Sequence, residues 1–216
     1  MTTLTTKALA KVLIAGSGYS GSALLQTLRA QGINALGASR NPPAGPQHIA
    51  LDLDADFDPL PASIRSIVFL VPPASGQPEP RLQRLLSKLS STPERIVLAS
   101  TSGVYGDCAG ELVDENRSTA PLTERATRRV EQENTLLNFC RGKAVRAVIL
   151  RIAGIYAQDL LGCRDVAVHG HVVYEYDPAG LEDASAQAGA GRRRQGKSGL
   201  VGGRRQHCAA SCRGDS

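Results

Sequence analysis

The segment KVLIAGSGYSGSALLQTLRAQG, residues 11–32, decides the fold. Lys11–Ala15 is a short apolar run of the kind that forms a strand buried on both faces. It ends in Gly16-Ser17-Gly18-Tyr19-Ser20-Gly21, a G-x-G-x-x-G turn. Ser22–Gln31 then places Leu24, Leu25 and Leu28 on one helical face, and Gly32 supplies a C-terminal stop. A glycine turn directly after a strand and directly before a helix is the context in which this pattern carries meaning. Gly16 permits the tight turn, Gly18 lets the backbone approach a pyrophosphate, and Gly21 lets the helix pack closely on the strand. The helix N-terminus, with Tyr19 and Ser20 beside it, turns unpaired N–H groups and a positive dipole end toward the phosphates. The competing reading is a strand–helix turn with no ligand; the agreement of motif and context weighs against it.

Outward from this turn the same alternation continues. Ile33–Ala38, His48–Leu53, Ser66–Val71, Arg95–Ala99 and Ala144–Ile152 read as strands. Arg81–Leu89 carries Leu82, Leu85, Leu86 and Leu89 at helical spacing, and Leu122–Arg141 reads as a long helix with a polar face. Apolar strands alternating with helices predict an α/β fold, a Rossmann-type doubly wound parallel sheet over residues 8–160. Such a sheet holds a dinucleotide across the ends of its strands, with Val71 and Pro72 closing the fourth strand beside it. The end of the second strand discriminates between cofactors, because an acid there accepts hydrogen bonds from a ribose 2′-OH. This chain has Ala38-Ser39-Arg40 instead. Ser39 and Arg40 suit a 2′-phosphate, so NADP is expected in preference to NAD, unless Arg40 is only a solvated loop residue.

Three segments carry a family resemblance: residues 11–32, RIVLASTSGVYGDCAGELVDE (Arg95–Glu115) and VILRIAGIYA (Val148–Ala157). In order and spacing they resemble the NAD-dependent epimerase/dehydratase branch of the extended short-chain dehydrogenases, over about residues 8–157. The stretch S-T-S-G-V-Y-G-D is the most specific, and it looks like the atypical sugar-epimerase-like members. The resemblance implies an oxidoreductase or isomerase acting on a nucleotide-sugar or similar polyol, with Thr101 or Ser102 holding the reacting oxygen. It also implies a Tyr-x-x-x-Lys pair, in which the lysine lowers the pKa of a phenol that acts as acid and base. At that spacing this chain has Arg125 and Arg129. Arg129 keeps a cation's place toward the nicotinamide ribose, whereas Arg125 cannot donate a proton. Tyr105 is either a substitute acid or a packing residue of the V-Y-G turn. Asp107, Asp114 and Glu115 are either substrate contacts or solvated loop acids. Two further readings stay open: a non-enzymatic NADP-binding module or redox sensor, and an inactive truncated product.

Composition sets the outer bounds. The chain has 216 residues, 42% of them hydrophobic and only 4% aromatic, so one sizeable and mainly aliphatic core is expected. Its net charge of +5 is concentrated in residues 185–216, whose seven Arg/Lys face one acid, and the remaining 184 residues sum to −1. The body of the chain therefore gives no electrostatic ground for binding nucleic acid. No apolar run reaches membrane-spanning length, and the N-terminus lacks a secretory pattern. Five irregularly spaced cysteines suggest no disulfide framework, so a cytoplasmic protein is expected. The expected partner is a small-molecule substrate, with neither nucleic acid nor membrane; oligomeric state is not legible.

After Tyr156 the alternation of strands and helices stops. Residues 161–216 read as an irregular, disordered tail, with Leu200 and Val201 the only long aliphatics after residue 184. Its Gly and Arg content is that of GC-rich DNA translated out of frame. Tyr174-Glu175-Tyr176-Asp177, read one base forward, encodes residues compatible with the Thr-Asn-x-Ile of the family, so a frameshift between Tyr156 and His171 is the expectation. Arg192–Arg194 with Arg204–Arg205 as a phosphate-binding patch, and His207, Cys208 and Cys212 as a metal site, are weaker readings, and no metal is expected.

Overall fold

The computed structural model describes residues 10–75, 80–155 and 168–176. Seven strands form one sheet: β1 (Val12–Ala15), β2 (Ala35–Ser39), β3 (His48–Ala50), β4 (Ser66–Phe69), β5 (Arg95–Thr101), β6 (Arg146–Ile155) and β7 (Val168–Tyr176). The helices are α1 (Tyr19–Ala30), α2 (Arg81–Ser87) and α3 (Glu124–Cys140), with a 3-10 turn at Ser102–Tyr105. The spatial order is β3-β2-β1-β4-β5-β6-β7. The first six strands run parallel, and β7 joins β6 antiparallel. This is a Rossmann-like sheet whose order reverses between β1 and β4, and in such sheets a crevice opens beyond the strand ends at that switch.

Strand residues alternate between two faces. Leu13, Ala15, Leu36, Ala38, Ile67, Phe69, Ile96 and Leu98 face α2 and α3, meeting Leu82, Leu85, Leu86, Leu136 and Cys140. Ile14 and Ala35 face α1 through Leu25, with Val12, Val68, Leu24 and Leu28 around them. Burial of Cys140 pushes its thiol up to about 11, the direction expected of a sulfur among hydrocarbon neighbours. No helix of the described residues is long and apolar enough to cross a membrane.

Most elements lie where the hydrophobic pattern placed them, with ends shifted by a few residues. Helix α1 begins at Tyr19, three residues before the expected start at Ser22, because Gly18 is its N-cap and Ser22 N–H already donates to Gly18 O at 2.8 Å. Strand β3 stops at Ala50, short of the expected Leu53, because Asp54 N–H donates to Asp52 Oδ1 and turns the chain. One element has no counterpart in the sequence reading. Beyond Tyr156 no strand was expected, yet Val168–Tyr176 pairs along β6 with two register shifts. The rest of the expected tail, 161–167 and 177–216, lies outside the described residues.

The turn from β1 to α1 fixes the geometry of everything above the sheet. Gly16 has φ +98°, and a Cβ on it would stand 3.1 Å from Leu70 C and Val71 N. At Gly21 a Cβ would stand 2.2 Å from Gly16 O, a contact that no rotamer change relieves because the neighbour is backbone. Gly21→Ala should therefore force α1 away from β1 and destabilise the fold by about 1–3 kcal/mol. Urea unfolding measures this directly, and a midpoint equal to wild type would show that α1 can shift at no cost.

Candidate cofactor cleft and the ends of the strands

A cleft of about 170 Å³ opens at the carboxyl ends of β1, β2 and β4. It is lined by Gly16, by Ala38, Ser39 and Arg40 at the end of β2, and by Val71 and Pro72 after β4. Four loop residues after β3, Leu51 to Asp54, and Arg81 from α2 complete it. Of the candidate cofactor residues, Gly16, Ser39, Arg40, Val71 and Pro72 thus share one cavity. Gly18, Tyr19, Ser20 and Gly21 belong to the adjoining turn and the first turn of α1.

The backbone of this turn is held for a purpose beyond its own hydrogen bonding. Gly16 and Ser17 N–H both donate to Ala38 O, at 2.9 and 3.0 Å, and Ser22 Oγ donates to Ser17 O at 2.9 Å. By helix geometry the amides at Ser20 and Gly21 have no intrahelical carbonyl to reach. The first turn of α1 carries no acid to neutralise them. A Cβ at Gly18 would meet nothing within 4 Å, so the space over the turn is open to a ligand. Tyr19, 54% exposed, flanks that space.

Charge around the cleft is uneven. Arg81 donates from Nε to Asp54 Oδ1 at 2.7 Å and from Nη2 to Asp54 Oδ2 at 2.5 Å, and its Nη1 donates to Pro72 O at 2.8 Å. Arg84 Nη1 donates to Leu53 O. Two arginines of α2 therefore fasten the loop after β3. The hydrogen bond from Arg81 holds the Asp54 carboxyl below its ordinary range, with the fields of Arg81, Arg40 and Arg84 acting in the same direction. Arg40 is exposed on the rim of the cleft and makes no hydrogen bond or contact ion pair with the described residues. A guanidinium so placed is suited to a doubly charged phosphate.

The loop Leu51–Asp54 and Arg81 were not singled out in the sequence. Arg81 and Asp54 lie 27 residues apart, and neither belongs to a motif. The sequence reading placed Leu51–Leu53 inside the strand His48–Leu53, so the loop they form was not visible in it.

At the end of β5 the candidate catalytic residues have different settings. Thr101 and Ser102 are half-buried, and Thr101 Oγ1 accepts from Gly103 N–H at 3.3 Å as the cap of the 3-10 turn. Arg125 is exposed on the first turn of α3. Arg129 is 8% exposed, and its Nη1 donates to Ala99 O at 3.0 Å, Val71 O at 3.2 Å and Gln132 Oε1 at 2.8 Å. Its cation thus ties α3 to the ends of β4 and β5, and little of it is presented to a ligand. Tyr105 is 8% exposed and packs with Val104, Cys108, Val113 and Val130. Asp107, Asp114 and Glu115 are exposed loop acids.

Beneath Thr101 lies an ionic cluster that the sequence reading did not foresee. Ser100 Oγ donates to Glu133 Oε1 at 2.5 Å, and Arg151 grips the same carboxylate through Nε at 3.2 Å and Nη2 at 2.7 Å. The Arg151 guanidinium lies 4.8 Å from the centre of the Tyr105 ring. Burial, the largest single influence, would lower the Arg151 pKa; hydrogen bonding and charge attraction to Glu133, with Tyr105 alongside, together outweigh it and raise it. Glu133 is 3% exposed, so deleting it strands a cation in a dry site.

The chain shares this fold with proteins of known structure. MoeE5 in complex with UDP-glucuronic acid and NAD is 28% identical, with a TM-score of 0.56 over 66% of this chain and 54% of that one. A putative NAD-dependent epimerase/dehydratase from Methylobacillus flagellatus is 26% identical, with a TM-score of 0.56 over 71% and 57%. UDP-glucuronic acid 4-epimerase from Bacillus cereus, at 20% identity and a TM-score of 0.54 over 65% and 55%, shares the fold alone. The structural neighbours are thus NAD-dependent epimerase/dehydratase and short-chain dehydrogenase/reductase-superfamily proteins, as the resemblance in the sequence implied. This chain spans about half the length of each. No protein-family model and no curated protein matches it.

The buried cluster generates a quantitative expectation. Glu133→Ala should cost about 3–5 kcal/mol of stability, whereas Glu133→Ala combined with Arg151→Met should recover much of that loss. Urea unfolding of the two single variants and the double variant completes the cycle, and additive losses would show that the pair is uncoupled.

Proposed function

We propose that this chain binds NADP, in preference to NAD, as an epimerase/dehydratase-like oxidoreductase acting on a nucleotide-sugar or a similar polyol. The single observation that carries the cofactor reading is the cleft at the β1/β4 switch. A glycine turn with open space above Gly18 adjoins it, and the exposed Arg40 lines it. The residues fit the group. Gly16, Gly18, Ser20 and Gly21 would receive the pyrophosphate, with Tyr19 beside it. Ser39 and Arg40 would take the 2′-phosphate, and Val71 and Pro72 would line the passage toward the reacting end. Similarity to MoeE5 and to the Methylobacillus flagellatus protein supports a nicotinamide nucleotide and a sugar nucleotide as the ligand classes.

When bound, the nicotinamide supplies hydride exchange with a substrate carbon. The protein's share is to hold the reacting oxygen at Thr101 or Ser102 and to keep the strand ends in register through Arg129. No tyrosine stands at the position where the family places its acid, and Arg125 there keeps its proton. This absence, with the burial of Tyr105, favours a second reading: a module that binds NADP without turning over a substrate.

Calorimetric titration with NADPH and NADH tests the proposal. NADPH should bind more tightly, and Arg40→Ala should remove about 1.5–3 kcal/mol of that preference. Equal binding of the two cofactors by the wild-type protein would overturn the NADP assignment. Gly18→Val should abolish binding of either cofactor while leaving the far-ultraviolet circular dichroism unchanged, because its side chain enters open space rather than the protein. Retained binding would remove the pyrophosphate from this turn.

A further inference from the structure

Three side chains converge on the α-carbon of Gly37 in β2. A Cβ there would stand 3.0 Å from Leu25 Cδ2, 3.0 Å from Ser17 Cβ and 3.2 Å from His48 Nδ1. Leu25 belongs to α1 and Ser17 to the glycine turn, while His48 opens β3 and pairs with Gly37 in register. Two polar atoms of this group are buried without a hydrogen-bond partner: Ser17 Oγ and His48 Nδ1. Ser17 is only 7% exposed, so water outside the fold does not serve it. Buried polar atoms left unpaired are costly, and folded proteins pair nearly all of them. Here each atom is the kind of partner that the other lacks. A hydroxyl donates, and a neutral imidazole accepts at one of its nitrogens.

We infer that Ser17 Oγ, by rotation about its Cα–Cβ bond, donates to His48 Nδ1, and that His48 is thereby a positioning residue for the glycine turn. The backbone of Ser17 is already held on two sides. Its N–H donates to Ala38 O at 3.0 Å, and its carbonyl oxygen accepts from Ser22 Oγ at 2.9 Å. The side chain adds a third tie, which reaches past β2 to the edge strand β3. Ser17 O and Gly18 N–H share one rigid peptide plane, so holding Ser17 aims the Gly18 N–H. That amide borders the space open above the turn. The bond also fixes the imidazole tautomer, since accepting at Nδ1 leaves the proton on Nε2. The positioning role rests on the dinucleotide reading and deepens it, whereas the bond itself is observable with no ligand present.

The test has two arms. Nitrogen NMR of the protein isotopically labelled at histidine is recorded at about pH 8, above the ordinary titration range of the side chain. The His48 signals, assigned by their loss in His48→Asn, should show an unprotonated Nδ1 and a protonated Nε2. Ser17→Ala should shift the Nδ1 signal. Titration with ADP-ribose reads the consequence. Ser17→Ala and His48→Leu should each weaken binding about threefold to tenfold, and the double variant no further than either alone. His48→Asn, whose carboxamide oxygen can stand where Nδ1 stood, should recover most of that loss. Thermal melting confirms that each variant is folded, and Ser17→Ala with His48→Asn carries the test if His48→Leu is not. Nitrogen signals that Ser17→Ala leaves in place overturn the bond. Unchanged ADP-ribose affinity in Ser17→Ala, or losses that multiply in the double variant, overturn the positioning role while the dinucleotide reading stands. Failure of the wild-type protein to bind ADP-ribose removes that reading and the positioning role with it, and the NMR arm still decides the bond.

Discussion

The carbonyl oxygen of Gly16 and the α-carbon of Gly21 are so near that a methyl group between them would lie 2.2 Å from the oxygen. This contact sets how closely α1 approaches β1. From it follow the packing of Leu25 against Ile14 and Ala35, and the aim of the α1 N-terminus across the ends of the strands. Gly16 also bonds to Ala38 O in β2 and abuts Leu70 and Val71 after β4. One turn therefore holds three strands in their mutual positions at the place where the sheet order reverses. The cleft is a consequence of that reversal, and the turn is what keeps it narrow.

Arginines do much of the remaining positioning. Arg81 and Arg84 draw the loop after β3 onto α2, Arg129 joins α3 to β4 and β5, and Arg151 joins β6 to α3 through Glu133. Each is tied to oxygen acceptors, as burial of a charge requires. In a chain with so few aromatic side chains, long stems with planar heads fill space that rings would otherwise occupy.

The parts of this molecule that were legible in the sequence are those written in local periodicity. The turn at Gly16–Gly21, the strands on either side and the stop at Gly32 each announce themselves within a few residues. The parts that were not legible are pairings across the chain. Asp54 and Arg81 are 27 residues apart, Ser100 and Glu133 are 33 apart, and nothing local links them. One signal was present in α3, where Ala126, Arg129, Glu133, Leu136 and Cys140 all lie on the buried stripe. Two charges on that stripe indicate buried partners, a sign easily lost in a helix that is polar on its other side. Strand β7 escaped notice for a different reason: its sequence, VHGHVVYEY, interrupts the apolar positions with Gly, His and Glu and keeps no strict two-residue alternation.

The substitution that places Arg129 where a lysine is expected changes more than the number of donors. An ammonium group so enclosed can surrender its proton, and a joint built on it would loosen as alkalinity rises. The guanidinium of Arg129 stays charged at any pH the fold survives, and its Nη1 reaches the carbonyls of Val71 and Ala99 together. The seam between the two central strands is thus insensitive to acidity.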